Sequence, residues 1–185
     1  MFNDQYKAPR NRKLAERWKM KYATSVYQGE TDRALRKQDA PTFAPGAFLP
    51  SGSVCMIGAD NTAALYDAST NAVPNFVLKG TNEIGVQSEV GNIAGGIITT
   101  LPCTGNYRVH TCVFEQGEGV SYAVNDFITV VNADCNGEGT TSMFTKKGAT
   151  PYTSVIAGVV CKPVYKDQMG NNTLIADLMF LPKQG

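Results

Sequence analysis

The sequence predicts a mainly β protein, an antiparallel β-sandwich or barrel that follows an extended, partly helical N-terminal arm. Three observations lead to this prediction. Ten of the 17 basic residues lie in the first 40 positions, 17 of the 18 glycines lie after position 45, and turn signals separate short apolar segments from residue 49 onward. Frequent short strands between turns are typical of sandwiches and barrels. We therefore divide the chain into an arm with its linker, residues 1–48, and a β-rich domain, residues 49–185.

The first element predicted in the arm is a helix over residues 11–28. Leu14, Trp18 and Tyr22 recur every four residues, so that they share one face of a helix. Such a narrow apolar stripe does not stabilise an isolated helix, because helices in proteins gain most of their stability from packing. The pattern therefore predicts a helix that lies on another surface. A second, short helical turn is predicted over residues 31–38.

The segment after these helices predicts an extended linker. Three prolines and a glycine lie between residues 39 and 50, and they favour extended backbone. Phe43 and Phe48 are the apolar residues that can anchor this linker. The composition changes here from basic to glycine-rich, and we place the domain boundary at this point.

The β-rich domain begins after the linker. Its clearest strands are 107–114, where apolar and polar residues alternate, and 173–181, where Leu174, Ala176 and Leu178 share one face with Phe180. Turn signals lie at residues 60–61, 135–137 and 170–172. The full set of predicted strands covers residues 54–57, 63–66, 75–79, 84–86, 97–101, 107–114, 120–124, 127–131, 142–145, 154–161 and 173–181.

The charge distribution predicts that the arm binds a partner. The first 40 residues carry ten basic and five acidic side chains, whereas the rest of the chain carries seven basic and eleven acidic ones. Separated charge of this kind acts on association rather than on fold. A solvated helix face is the alternative interpretation. The predicted partner-binding residues are Arg10, Arg12, Lys13, Leu14, Arg17, Trp18, Lys21, Tyr22, Arg33, Arg36, Lys37, Phe43 and Phe48.

The kind of partner follows from the mixture of residues in the arm. Clustered Lys and Arg can neutralise nucleic-acid phosphates. However, five acidic residues are interspersed with the ten basic ones, and the β-rich domain has no basic stripe. Aromatic and arginine side chains together are typical of protein interfaces, with Trp18 and Tyr22 as anchors. We therefore expect an acidic protein surface, and no direct nucleic-acid binding.

No residue pattern predicts catalysis, a cofactor or a metal. His110 is the only histidine, which excludes histidine-based triads. Cys103, His110 and Cys112 lack a fourth ligand at the spacing of a zinc site. The five cysteines form no CxxC pair and are predicted to be buried thiols rather than a disulfide framework. Residues 91–97 are glycine-rich but match no phosphate-binding motif. The sequence thus predicts a protein that is not an enzyme.

The sequence also predicts where the protein is made. No apolar run reaches the roughly 18–20 residues that cross a bilayer, so we expect no membrane partner. The N-terminus is charged from Asp4 onward and shows no apolar signal region. Synthesis in a reducing cytoplasm is the expectation.

Four segments of the β-rich domain resemble the head decoration (capsid cement) proteins of tailed bacteriophages. The segments are YRVHTCVF from Tyr107, YAVNDFITV from Tyr122, VIAGVVC from Val155 and the closing LIADLMFLP. In that group a β-rich domain carries a "Y…GD.L" turn, a later "GVV" strand and a final apolar strand. The resemblance covers about residues 76 to 182. Asn125 stands where glycine is usual before Asp126, and asparagine also tolerates positive φ.

The resemblance implies a β-tulip-like, non-enzymatic virion protein on the capsid exterior, made in the host cytoplasm. Its partner would be the major capsid protein, and it would be a homo-oligomer, most often a trimer at local threefold positions. Residues 1–48 would reach over neighbouring capsid subunits. A head–tail joining or tail structural protein is one alternative. A carbohydrate- or surface-binding β-sandwich is another, although the only tryptophan, Trp18, lies in the arm.

Overall fold

The computed structural model describes residues 24–28, 42–43, 48–79, 99–105, 107–135, 137 and 139–184. Within these residues the chain forms eleven strands and no helix. The strands are β1 (Thr24–Gln28), β2 (Thr42–Phe43), β3 (Val54–Ile57), β4 (Thr62–Ala64), β5 (Asn75–Lys79), β6 (Thr99–Pro102), β7 (Arg108–Thr111), β8 (Phe127–Asp134), β9 (Thr140–Thr145), β10 (Ile156–Lys166) and β11 (Asn172–Leu181).

The strands form one curled, antiparallel half-barrel. Their order is β1-β7-β11-β10-β8-β9-β3-β4-β2, and β5 and β6 branch from β3. The long hairpin of β10 and β11 and the β8–β9 hairpin form its middle. β2 lies parallel to β4, while the other strand pairs are antiparallel. The prediction of a mainly β, antiparallel domain is therefore confirmed at this level.

The inner face of the half-barrel holds the main core. Phe76 and Phe144 stack with ring centroids 5.9 Å apart, and both are fully buried. Val109, Leu174 and Leu178 extend this core along β7 and β11. The alternation predicted for residues 107–114 is confirmed, because Val109 is buried and its neighbours Arg108 and His110 are half-buried. Removing these apolar surfaces from water is the main stabilising contribution.

After β7 the chain reaches β9, which is not a neighbour of β7 in the strand order. Phe114 forms a parallel bridge with Phe144 of β9, and the backbone N–H of Glu115 donates to the Phe144 carbonyl over 2.8 Å. Thr111 assists this crossing, because its hydroxyl donates to the Gly52 carbonyl over 2.8 Å. Segments distant in sequence are thus joined where the sheet curls.

The end of the predicted arm helix is corrected by the structure. Residues 24–28 form strand β1, which pairs antiparallel with β7 and places Thr24 opposite Thr111 and Ser25 opposite His110. The TSVYQ segment contains β-branched and aromatic residues, which favour strands, and the edge of β7 supplies the backbone partners. The remainder of the predicted helix, residues 11–23, and the helical turn over 31–38 lie outside the described residues.

A further strand prediction differs from the structure. Residues 120–124, predicted as a strand, form irregular backbone that ends in a turn at Val124–Asn125. Gly117 and Gly119, both with positive φ, precede this segment and break extended pairing there. The predicted strand over 84–86 lies outside the described residues. Strands β3 and β5 have the predicted bounds, and β8 and β10 end later than predicted. β7 is shorter than the predicted strand over 107–114, because it ends at Thr111.

Candidate interaction surfaces

Of the residues predicted to bind a partner, two lie in described parts of the chain. Phe43 belongs to β2, where its backbone is paired with Ala63. Phe48 is 7% exposed and packs with Val113, Cys135 and Met143. Its side chain therefore serves the packing of the domain and offers little surface to a partner. The predicted residues outside the described parts are Arg10, Arg12, Lys13, Leu14, Arg17, Trp18, Lys21, Tyr22, Arg33, Arg36 and Lys37.

The turn over residues 122–126 is held firmly against β10. Asn125 has a φ of 71°, in the left-handed region that asparagine tolerates better than most residues. Its N–H donates to the Val160 carbonyl over 2.8 Å, and the Val160 N–H donates to the Asp126 carbonyl over 2.9 Å. The turn and the Gly158–Val160 part of β10 are therefore one connected unit.

Side chains around this turn complete a polar network. The Asp126 carboxylate accepts a hydrogen bond from the Ala123 N–H and lies 2.8 Å from the Lys146 ammonium. The Lys146 hydrogen bond lowers the pKa of Asp126. The Tyr122 hydroxyl donates to the Glu115 carbonyl over 2.7 Å, and burial raises the pKa of Tyr122 to about 12. These contacts join the turn to Lys146, which follows β9, and to Glu115.

The positive φ of Asn125 predicts how alanine and glycine at this position affect the free energy of unfolding. Replacing Asn125 with alanine is expected to lower the free energy of unfolding by about 1–2 kcal/mol, because a Cβ without a local hydrogen-bonding group is disfavoured in left-handed backbone. Replacement with glycine is expected to leave stability within about 0.5 kcal/mol, because glycine adopts this backbone freely. Urea unfolding of both variants measures the difference. Equal losses for the two would contradict the explanation by backbone conformation.

The Asp126–Lys146 pair predicts a dependence on pH. Because the pKa of Asp126 is lowered by folding, the pair stabilises the folded protein above the unfolded carboxyl value, about 3.9, and this contribution is lost as the pH falls through the folded value. Asp126→Asn is expected to cost about 1 kcal/mol at pH 7, since Lys146 is partly exposed. The cost should shrink below pH 4. Chemical unfolding between pH 2.5 and pH 7 measures it, and a cost that stays constant would exclude the carboxylate as its cause.

Two open clefts flank the segment that crosses to β9. One has a volume of about 290 Å³, with Val113, Phe114 and Met143 as apolar wall residues and Glu115 and Asp134 as carboxylates. Its lining also includes two thiols, half-buried Cys112 and buried Cys135. The other has a volume of about 270 Å³ and lies between the Val120–Tyr122 stretch and the hairpin of β10 and β11. Both are large enough for a single side chain of a partner.

The outward face of β7, β11 and β10 carries a second polar group of residues. Arg108 donates two hydrogen bonds to Asp177, from Nε over 2.8 Å and from a terminal nitrogen over 2.9 Å. The Tyr165 hydroxyl lies 3.3 Å from Nδ1 of His110. Burial, with Lys162 and Arg108 nearby, lowers the pKa of His110, so the imidazole is neutral at pH 7. This face is a partly exposed structural network.

The cysteines and the possible metal ligands do not converge. The five cysteines form no disulfide with one another, and burial raises the pKa values of Cys55, Cys103 and Cys161. These three are therefore poor nucleophiles at neutral pH. Within the parts of the chain that the structure describes, no group of three or more His, Cys, Asp or Glu residues is arranged to hold a metal ion.

Tyr152 is a surface feature that the sequence pattern did not single out. It is 62% exposed, the highest value among the large apolar side chains of the described residues that are exposed. Its backbone also has a φ of 77°, which is uncommon for a bulky residue. The available signal was an aromatic residue in the Gly-, Thr- and Pro-containing loop between β9 and β10. An aromatic residue in such a loop is compatible with many roles.

Comparison with known proteins gave no match, whether to a protein-family model, a curated protein or a solved structure. Among the described residues, no helix has both the length and the apolar character needed to cross a membrane.

Proposed function

We propose that the protein is a virion structural protein that binds the outer surface of a bacteriophage capsid and clamps neighbouring capsid subunits. In this proposal the half-barrel is a β-tulip-like decoration domain, and the major capsid protein is its partner. The protein acts as a homo-oligomer, most readily a trimer. It carries out no chemical reaction, and its activity is the binding energy that it adds between subunits.

The observation that carries the proposal is the turn at residues 122–126. The resemblance to decoration proteins rests on a Tyr…Gly-Asp turn and a later GVV strand, and this chain has Asn125 in place of the glycine. Asn125 adopts left-handed backbone with a φ of 71°, as a glycine could. The turn is also hydrogen-bonded to the GVV segment, through Val160. The substitution is therefore compatible with the turn on which the resemblance depends.

The clamping action follows from two linked contacts. The arm carries a surplus of five positive charges and the only tryptophan, and a linker joins it to the mildly acidic β-rich domain. When one contact has formed, the second becomes intramolecular, and two linked contacts can exceed either affinity alone by roughly 10²- to 10⁴-fold. A capsid fails where subunits separate, so a protein that contacts two or more of them opposes that separation.

Electron cryo-microscopy of the native assembly tests the proposal. The expected result is density for the half-barrel on the outside of the capsid shell, in many copies that follow the capsid symmetry. Density confined to the portal vertex or the tail would instead identify a head–tail joining or tail component. If the protein is found free, with no particle association, the proposal is wrong.

A further inference from the structure

The loop that carries Tyr152 is fixed in one conformation by its own backbone. The Thr153 and Ser154 N–H groups both donate to the Thr150 carbonyl, over 3.2 and 3.0 Å. The Gln184 N–H of the C-terminal segment donates to the Tyr152 carbonyl over 2.7 Å. The C-terminal segment is itself held, because Lys183 exchanges two backbone–side-chain hydrogen bonds with Asn71, both of 3.1 Å. Three separate parts of the chain thus hold Tyr152 in place.

This fixed conformation is unfavourable for the folded chain taken alone. Left-handed backbone at a bulky residue is strained, and an aromatic side chain that is 62% exposed gains little from burial. Strain that the surrounding structure maintains is concentrated at functional sites. A rigid, protruding aromatic side chain is also an economical binding anchor, because it loses little conformational freedom on association.

The cleft beside Glu115 has the features of a receptor for this loop. Its volume of about 290 Å³ is enough for one aromatic ring, and its lining includes Val113, Phe114 and Met143, whose side chains are at most 5% exposed. Its carboxylates, Glu115 and Asp134, already accept hydrogen bonds from the Thr145 hydroxyl and the Gly137 N–H. A carboxylate has further acceptor sites, so each can also accept a hydrogen bond from a phenol. The loop that would enter carries two lysines and no acidic residue over positions 146–154. Lys146 is already paired with Asp126, so Lys147 supplies the charge that complements the carboxylates of the cleft. The loop and the cleft both belong to this chain.

We propose that Tyr152 of one copy inserts into the cleft lined by Val113, Phe114 and Glu115 of a second copy. The contact joins two different surface patches, so every copy can both supply a tyrosine and receive one. Contacts of this type close into rings when the rotation between copies allows it. The inference rests on the homo-oligomer of the proposed function and names its interface. It can be tested without a particle, so its failure would leave capsid attachment untouched.

A cross-linking experiment on the full chain tests the contact directly. Thr153→Cys places a thiol beside Tyr152 and keeps the tyrosine, and Cys112 is a half-buried thiol in the lining of the proposed cleft. Mild oxidation should give a disulfide between chains, which peptide mass spectrometry locates between position 153 and Cys112. Adding Cys112→Ser should abolish it. Val124→Cys, at another exposed apolar residue, is the matched control and should give no such product.

Analytical ultracentrifugation provides the second measurement. Tyr152→Ala is expected to weaken self-association at least about tenfold, as loss of a central aromatic anchor does, whereas Tyr152→Phe should retain most of it. Tyr152→Gly should weaken association while raising the thermal midpoint, because glycine relieves the strain at a φ of 77°. A wild-type chain that stays monomeric at all concentrations overturns the inference. Unchanged association of the alanine variant, or cross-links to a cysteine outside the cleft, would do the same.

Discussion

Phe48→Ala is expected to lower the free energy of unfolding by about 3–5 kcal/mol, the range for removing a buried phenylalanine ring. Phe48 is 7% exposed and packs against Val113 and Met143. Its ring also lies against Gly139, where an added Cβ would be 3.6 Å from the ring. Truncation would leave a cavity between Val113, in the chain that follows β7, and the β8–β9 hairpin. Urea unfolding, followed by far-UV circular dichroism, measures the loss.

The matched control is Val124→Ala, which removes methyl groups from a side chain that is 45% exposed. Its cost should stay within about 0.5 kcal/mol, as for most surface substitutions. If Phe48→Ala lowers the free energy of unfolding by less than about 1 kcal/mol, Phe48 belongs to the linker and not to the core of the domain. The domain would then begin at residue 49, as the sequence predicts.

Removal of residues 2–23 is expected to weaken binding to the capsid by about 100-fold or more, the lower part of the gain that linked contacts provide. These residues hold seven basic and two acidic side chains, which account for the whole surplus of five positive charges in the arm. They also hold Trp18. The truncation leaves β1 in place, so the pairing of β1 with β7 is retained. Co-sedimentation with particles that lack the endogenous protein measures the affinity.

Two comparisons make the truncation informative. Charge reversal at Arg12, Lys13 and Arg17 should slow association, with an effect that fades at high salt, because screened charges act mainly on encounter. Trp18→Ala should instead speed dissociation, as loss of an anchor does. If the truncated chain binds as tightly as the full chain, the arm is a solvated tail and the β-rich domain alone is the binding module.

A longer truncation would give a different result for a reason that the structure supplies. Deleting residues 2–38 also removes β1 and leaves the edge of β7 without its partner strand. Open edges of this kind promote pairing between molecules. Aggregation of the longer truncation, with a well-behaved shorter one, would show that β1 belongs to the folded domain. The two truncations thus separate binding by the arm from protection of the sheet.

Strands whose side chains alternate were predictable from the sequence, because burial on one face leaves a period of two residues. Val109 and Thr111 in β7, and Leu174, Ala176 and Leu178 in β11, are buried as that period requires. β1 was not predictable in the same way. Residues 11–28 carry a helical period up to Tyr22, and only the edge of β7, far away in sequence, makes the TSVYQ segment extended.

The candidate surfaces were less predictable than the fold. Tyr122, Asn125 and Asp126 could be singled out because their sequence resembles a known turn, and the structure adds the Lys146 pair, which lies 20 residues away. Phe48 was assigned to a linker because composition cannot show which aromatic residue is enclosed by distant segments. The Tyr152 carbonyl accepts a hydrogen bond from the Gln184 N–H of the C-terminal segment, and a local sequence pattern carries no information about that contact.

The strand order has a consequence for how the chain is made. β1 leaves the ribosome before β7, and Thr24 pairs with Thr111, which is synthesised 87 positions later. At about 5–20 residues per second, the β1 segment waits roughly 4–17 s for its partner. During this interval β8 to β11 have not yet been synthesised, and β7 and β11 supply Val109 and Leu174 to the main core. Chaperones that bind extended segments would therefore bind this nascent chain. We also expect β1 to join the sheet late in folding.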